Sequence, residues 1–214
     1  IHNCVIIVTY VEEYLIKLLD KVPDSVIVAC SGGPDSMALL SFLNNSDRNV
    51  AVLHFDHGTN HSKDARELVE RYCKINSIPA IIKYLPAPPL NVSSLEAWWR
   101  DQRYNVMNAL GETVLTGHNL DDVAEWWIFT SLRGNSCLMP YQTKNVIKPL
   151  LLNSKQSLVD WCTRYDVPYV IDPTNLDRKF ARSKIRYNIM PEALEINPGL
   201  LTTMKKKIIE SNER

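Results

Sequence analysis

"VIVACSGGPDSMALLSFL", residues 26–43, runs five apolar or small residues into Ser-Gly-Gly-Pro-Asp-Ser and then into an apolar pattern with helical spacing. Residues 26–30 read as a buried strand and 35–43 as the helix that follows. A strand-to-helix turn aims several backbone N–H groups at one spot, where the helix dipole also favours negative charge. Gly32 and Gly33 let the backbone turn tightly and approach an anion with no β-carbon in the way. Ser31 and Ser36 add hydroxyl donors, and Asp35 can hold a Mg²⁺ that bridges phosphate oxygens. Pro34 suits a first helical turn, where its missing N–H costs nothing. Neither a Gly-Lys pair nor GxGxxG occurs in the chain, so the two familiar phosphate loops are absent. A Gly-Gly turn alone would be mere structure. Hydroxyls and a carboxylate at a strand–helix junction make it a nucleotide site.

Outward from that turn, strands and helices alternate. "NVAVLHF" (49–55) is a second buried strand, and 62–77 a helix opened by a Ser cap. "PAIIKYL" (79–85) is a third strand, followed by a loop with Pro86, Pro88 and Pro89. Residues 93–110 form a helix, "TVLTG" (113–117) a fourth strand and 120–132 another helix. An amphipathic helix is expected at 11–21. After about residue 150 the pattern is mostly helical, apart from a short strand near "VPYVID" (167–172). The expectation is an α/β fold, a parallel sheet flanked by helices on both faces, with a mostly helical C-terminal part. Residues 1–150 make the nucleotide-binding core and 151–214 a helical extension completing the catalytic domain. Ligands bind such sheets at the carboxyl ends of the strands. "SGGPDS", "HFDHG" and "TGHNLDD" all fall there.

The chain has 214 residues, a formal net charge of zero and 45% hydrophobic residues, ordinary for a soluble globular protein. No apolar run is long enough to span a bilayer. The opening "IHNCVIIVTYVEEYLIKLL" has no basic leader and is interrupted by Glu12 and Glu13, so it reads as a strand or helix and not a signal peptide. The first residue is not Met, which leaves open a native start upstream. Five cysteines, odd in number and without a CxxC pair, suggest reduced thiols in a cytoplasmic protein. Zero net charge requires any polyanion to be met by a local patch. "DRKFARSKIR" (177–186) and Lys205–Lys207 are such clusters, although solvated helix faces look the same.

SGGxDS after a first strand resembles the pyrophosphate-loop signature of ATP-pyrophosphatases. "HFDHG" (54–58), "LEAWWRDQRY" (95–104), "TGHNLDDVAE" (116–125), "LRGN" (132–135), "KPLL" (148–151), "DPTN" (172–175) and "FARSKIRYNIMP" (180–191) follow in the order found in the tRNA(Ile)-lysidine synthetase family. The likeness covers about residues 25–195. It implies ATP-dependent ligation of free L-lysine to C2 of the wobble cytidine in a tRNA(Ile) with a CAU anticodon, through an adenylated tRNA, with AMP and pyrophosphate released. By the same resemblance Ser31, Gly32, Gly33, Asp35, Ser36, His57 and Gly117 bind ATP, with Mg²⁺ on Asp35. Asp35, His118, Arg100 and Arg103 serve the chemistry, and Asp122 and Glu125 hold lysine. Arg133, Arg178, Lys179, Arg182 and Arg186 contact tRNA.

The chain departs from the family pattern at Asn60, Trp126, Lys148 and Ser183. No separate C-terminal tRNA-binding domain follows, so the chain is expected to be a minimal catalytic domain or a fragment. His54, His57 and His61 lack the spacing of a metal site and read as loop packing or a nucleotide contact. His118 is a contact near the base, a general base or a cap. Adjacent tryptophans at 98–99 and 126–127 point in different directions on a helix, which favours core packing over base stacking. Two other readings remain: a tRNA-modifying ATPase of the 2-thiocytidine type, whose CxxC pairs are missing, and an inactive nucleotide- or tRNA-binding module.

Overall fold

The structure is a computed structural model of the chain; it describes residues 16–92, 94–171 and 181–213, the side chains of residues 60 and 96 aside. The order is β1 (Ser25–Ala29), α1 (Pro34–Asn44), β2 (Asn49–Asp56), α2 (Asn60–Ile75), β3 (Ala80–Tyr84), α3 (Leu95–Ala109), β4 (Val114–Thr116) and α4 (Leu120–Ser131). A short hairpin of β5 (Gln142–Thr143) and β6 (Val146–Ile147) follows, then α5 (Lys155–Arg164), α6 (Ala181–Lys184), a π-helical turn (Ile185–Ile189), α7 (Met190–Ile196) and α8 (Leu200–Asn212).

The strands form one sheet in the order β3-β2-β1-β4-β6-β5, parallel except for β5. The chain steps from β1 outward through β2 to β3, then returns to lay β4 on the other side of β1. The reversal opens a crevice between the carboxyl ends of β1 and β4. The expected α/β architecture is therefore the observed one.

β1 alternates between two cores, as a strand covered on both faces must. Val26 and Val28 pack with Met37 and Leu40 of α1, Val69 of α2, and Leu158 and Trp161 of α5. Ile27 packs on the opposite face with Leu53, Phe55 and Met107 of α3. α1 is apolar around nearly its whole circumference, with Leu39, Leu40 and Leu43 at 0% exposure. Each such leucine contributes about 2 kcal/mol through burial, so the helix that starts at the glycine turn is firmly seated. A third core joins Val123 and Ala124 of α4 to Met190, Leu200, Met204 and Ile208. Among the described residues no helix is long and apolar enough to cross a membrane.

Three local readings need correction, and one element is new. Residues 16–21 are not helical; 11–15 lie outside the described residues. Lys17 is instead tied through its backbone N–H and C=O to the Asn153 amide (2.8 and 2.7 Å), which satisfies the polar groups a helix would have paired. α2 is capped by Thr59, whose hydroxyl accepts from the Ser62 N–H (3.1 Å); the Ser62 hydroxyl is occupied by Asp56. Residues 167–171 form no strand, but the Val170 N–H donates to the Gly32 carbonyl (2.9 Å). The β5–β6 hairpin, with two residues per strand, is too short to show a period.

Candidate active site

The turn after β1 is built from its own side chains. The Ser36 hydroxyl donates to the Gly33 carbonyl (3.0 Å) and accepts from the Ser31 N–H (3.1 Å), and the two serine hydroxyls lie 3.2 Å apart. Gly32 sits at φ +83°, a conformation L side chains rarely adopt, and its missing Cβ lets Ala65 of α2 pack against it. α2, α3, α4 and α5 begin on side-chain caps (Thr59, Ser94, Asn119 and Ser154). α1 begins on Gly33 with no side-chain cap and Pro34 in its first turn. Its leading N–H groups are thus left for an external acceptor.

β4 delivers a second glycine to the same place. A Cβ on Gly117 would stand 2.9 Å from the Ser36 amide nitrogen, so only glycine lets β4 close against the start of α1. The next residue, His118, lies at the crevice with its Nδ1 2.8 Å from the Thr116 hydroxyl. Burial brings the His118 pKa down to about 4 against the pull of Asp122, so the ring is neutral at pH 7.

α4 opens on Asn119 with a reciprocal cap: the Asp122 N–H donates to the Asn119 side chain (3.0 Å), and the Asn119 N–H to Asp122 (3.1 Å). One turn of spacing brings Asp122 and Glu125 to the same face. Glu125 is 2% exposed. Arg186 grips it with two hydrogen bonds (2.6 and 2.8 Å) and reaches Asp122 at 3.1 Å; Arg182 reaches Asp122 at 3.4 Å. Burial works to raise the Asp122 carboxyl, but His118, Arg182 and Arg186 together hold it below its ordinary value. Burial pushes the Glu125 carboxyl above its ordinary value, and the two-pronged Arg186 guanidinium opposes that rise. Arg186 lies on the π-helical turn that precedes Pro191, where proline's missing N–H breaks the regular helical ladder.

Asp35 faces the same crevice. Burial raises its carboxyl, with the nearby Asp122 charge adding to the rise and Lys155 opposing it. Its Oδ2 accepts from Lys155 Nζ (3.3 Å), whereas its Oδ1 is buried with no hydrogen-bond partner. A hard, orphaned carboxylate oxygen beside a phosphate-type turn fits Mg²⁺, which takes one or two carboxylates and completes its shell with phosphate and water oxygens. Among the described residues no group of three or more His, Cys, Asp or Glu side chains could hold a metal on its own.

The other expected residues spread out. His57 packs edge-on to Trp99, rings 4.5 Å apart. Arg103 lies within electrostatic reach of His118 and Tyr104. Arg100 is exposed and pairs with Asp101 (3.4 Å). Arg133 stacks over Phe129 at 4.3 Å, eleven residues beyond Asp122 and so about 16 Å along the helix direction. Arg178 and Lys179 lie outside the described residues. His54 is 1% exposed, with Nδ1 2.8 Å from the Cys30 carbonyl, a role inside the sheet. Lys148 is buried against the Pro140 carbonyl (3.0 Å), and burial brings its pKa down to about 8. Sequence reasoning passed over Lys155 altogether. A lysine opening a polar helix carries no signal until its partner across the fold is known.

Residues 8–193 match the family of PP-loop domains. The tRNA(Ile)-lysidine synthase of Thermosipho africanus is 32% identical over 205 residues, covering 88% of this chain and 47% of that protein. That of Thermotoga maritima is 30% identical over 193 residues, covering 82% and 46%. The chain spans about half the length of these relatives. Among solved structures, the U34-tRNA thiolase of Methanococcus maripaludis with its [4Fe-4S] cluster superposes with a TM-score of 0.71 at 18% identity, over 89% of this chain and 73% of that one. That likeness is one of fold. With the glycine turn at β1–α1 and a match over most of its length, the chain belongs to the PP-loop domain family.

Proposed function

We propose that this chain carries out ATP-dependent lysidine formation on a tRNA(Ile) with a CAU anticodon. Two displacements make up the reaction. The C2 oxygen of the wobble cytosine takes the α-phosphoryl group of ATP as pyrophosphate leaves. The ε-amine of lysine then adds at C2, AMP departs, and the amine loses a proton. The observation that carries the reading is a cluster of two carboxylates and two guanidinium groups, Asp122 and Glu125 faced by Arg182 and Arg186, close to Asp35 of an anion-ready turn. The names of the relatives, tRNA(Ile)-lysidine synthases, support it.

The uncapped N–H groups of α1 and the hydroxyls of Ser31 and Ser36 receive the phosphates, with Gly32, Gly33 and Gly117 keeping the approach clear. His57 would contact the nucleotide. Asp35 would hold Mg²⁺, which neutralises charge on the departing pyrophosphate. An attacking ε-amine must be unprotonated, and a carboxylate pair would keep it charged. Asp122 and Glu125 therefore suit the α-ammonium of lysine, and the paired guanidinium groups its α-carboxylate. That leaves the ε-amine free to reach C2. Neutral His118 would accept a hydrogen bond there, and Arg100 and Arg103 would serve the transferred phosphoryl group. Arg133, Arg178 and Lys179 would contact tRNA phosphates, while Arg182 and Arg186, read from the sequence as tRNA contacts too, face Asp122 and Glu125; the protein works in the cytoplasm.

A sulfur-transfer reading gains little from the described cysteines: Cys30, Cys73 and Cys162 are buried in one core, and the half-buried Cys137 has no CxxC partner. The test is to incubate the protein with Mg-ATP, labelled lysine and CAU-anticodon tRNA. Label on the tRNA with equal AMP and pyrophosphate is expected. ATP cleavage that leaves no lysine on the RNA would overturn the reading.

A further inference from the structure

We propose that Lys155 is a pyrophosphate-binding residue of the nucleotide site, and that Asp121 holds it in position. The proposal rests on the ATP reading above. Lys155 opens α5 at the carboxyl edge of the sheet, and its ammonium reaches Asp35, the carboxylate of the turn's own helix, at 3.3 Å. The residues of the turn, 31–36, include no cation, yet an ATP triphosphate carries more negative charge than one Mg²⁺ cancels. A lysine beside the turn supplies the missing charge as a mobile point on a flexible stem.

A structural ion pair is the competing account, and the exposures argue against it. The Lys155 side chain is 45% exposed and that of Asp35 24%. A long, half-exposed pair of this kind adds little stability. The base of the lysine, in contrast, is fixed. Its backbone N–H donates to Asp121 Oδ2 at 2.7 Å, across 34 residues of sequence. Ser154 caps the helix through the Ser157 N–H (3.2 Å). Leu158 and Trp161 bury α5 in the core it shares with α1, and the Cys162 thiol donates to the Pro34 carbonyl (3.5 Å). A half-exposed charged head on a rigid base, held at the turn by Asp35, is the arrangement of a ligand-binding lysine.

The two adjacent aspartates of "TGHNLDD" thus divide their work. Asp122 turns to the guanidinium groups of Arg182 and Arg186, and Asp121 turns away to pin the start of α5. With Asp35 given over to Mg²⁺, the Lys155 ammonium beside it would be free to turn to the phosphates. There it offsets the charge that builds on pyrophosphate as the Pα–O bond breaks.

The test compares equilibrium binding of ATP, inorganic pyrophosphate and AMP, each with Mg²⁺, by the parent protein and by Lys155→Met, Lys155→Arg and Asp121→Asn. Lys155→Met should weaken ATP and pyrophosphate about tenfold while AMP changes less than about twofold. Lys155→Arg should restore most of the loss. Asp121→Asn should show the same ATP-over-AMP pattern in milder form, because it loosens the base and not the charge. Unchanged ATP and pyrophosphate binding in Lys155→Met, or equal weakening of AMP, would overturn the proposal. So would a Lys155→Arg protein as weak as Lys155→Met, and Asp121→Asn binding like the parent removes Asp121 from it. These measurements need neither lysine nor tRNA, so they stand or fall separately from the ligation assay.

Discussion

Replacing Gly117 by alanine tests the close approach on which the nucleotide site depends. The added methyl would meet only backbone: the Ser36 nitrogen at 2.9 Å, the Asp35 carbonyl carbon at 3.0 Å and Ser36 Cα at 3.1 Å. Ordinary contact begins near about 3.5 Å, so β4 and the first turn of α1 must part by roughly half an ångström. α1 cannot yield cheaply, because Leu39, Leu40 and Leu43 are fully buried behind it. Overpacking of this sort costs about 1–3 kcal/mol, or roughly 5 °C in melting temperature for a chain of this size. The displaced atoms are the ones that would meet phosphate. A misplacement of about 1 Å can cost a hundredfold in rate, so a loss of about tenfold in ATP affinity and pyrophosphate release is expected. Gly111→Ala is the control. Gly111 has φ +71° with open space around it, so alanine there adds backbone strain far from the turn. Thermal melting and ATP titration of both variants separate the effects. If Gly117→Ala melts lower but binds ATP as Gly111→Ala does, the close approach has no part in nucleotide binding.

Asp122→Asn and Glu125→Gln should still form adenylated tRNA but transfer lysine poorly, with a raised lysine requirement. A stepwise assay in which adenylation is lost first contradicts their assignment to lysine. His118 titrates in the unfolded chain near its ordinary value of 6.5 but only at about 4 in the fold. Across that window the unfolded state binds the extra proton, so stability falls as pH drops from 6.5 toward 4. His118→Gln should flatten that part of the stability–pH curve, and an unchanged slope refutes the burial argument. Binding of tRNA should weaken steeply with salt if the basic segment meets phosphates. Salt-independent binding to an active protein removes that role.

Much of this was written locally. The glycine turn, the hydroxyls around it and the alternation of buried strands with helices are all short-range patterns, and they delivered the sheet and the crevice. What escaped was set by partners distant in sequence. Ile16–Lys21 carries a helical pattern, yet Asn153 offers its backbone a better set of hydrogen bonds. Ser62 looks like a cap because it begins a polar run, but Asp56, six residues earlier, claims its hydroxyl. Arg182 and Arg186 read as part of a basic surface stretch. The fold turns them onto Asp122 and Glu125, about sixty residues away. Lys155 became conspicuous only through Asp35 and Asp121.

The hydrogen bond from Val170 to the Gly32 carbonyl has a consequence for variation. It fixes the peptide plane at the residue whose φ is positive, so the turn cannot flip a carbonyl toward an incoming anion without breaking the tie. The donor is main chain, and any of nineteen side chains at position 170 leaves it in place. Sequence drift at that position is therefore silent, with one exception. Proline carries no N–H, and Val170→Pro would cut the phosphate turn loose from a distance of 138 residues along the chain.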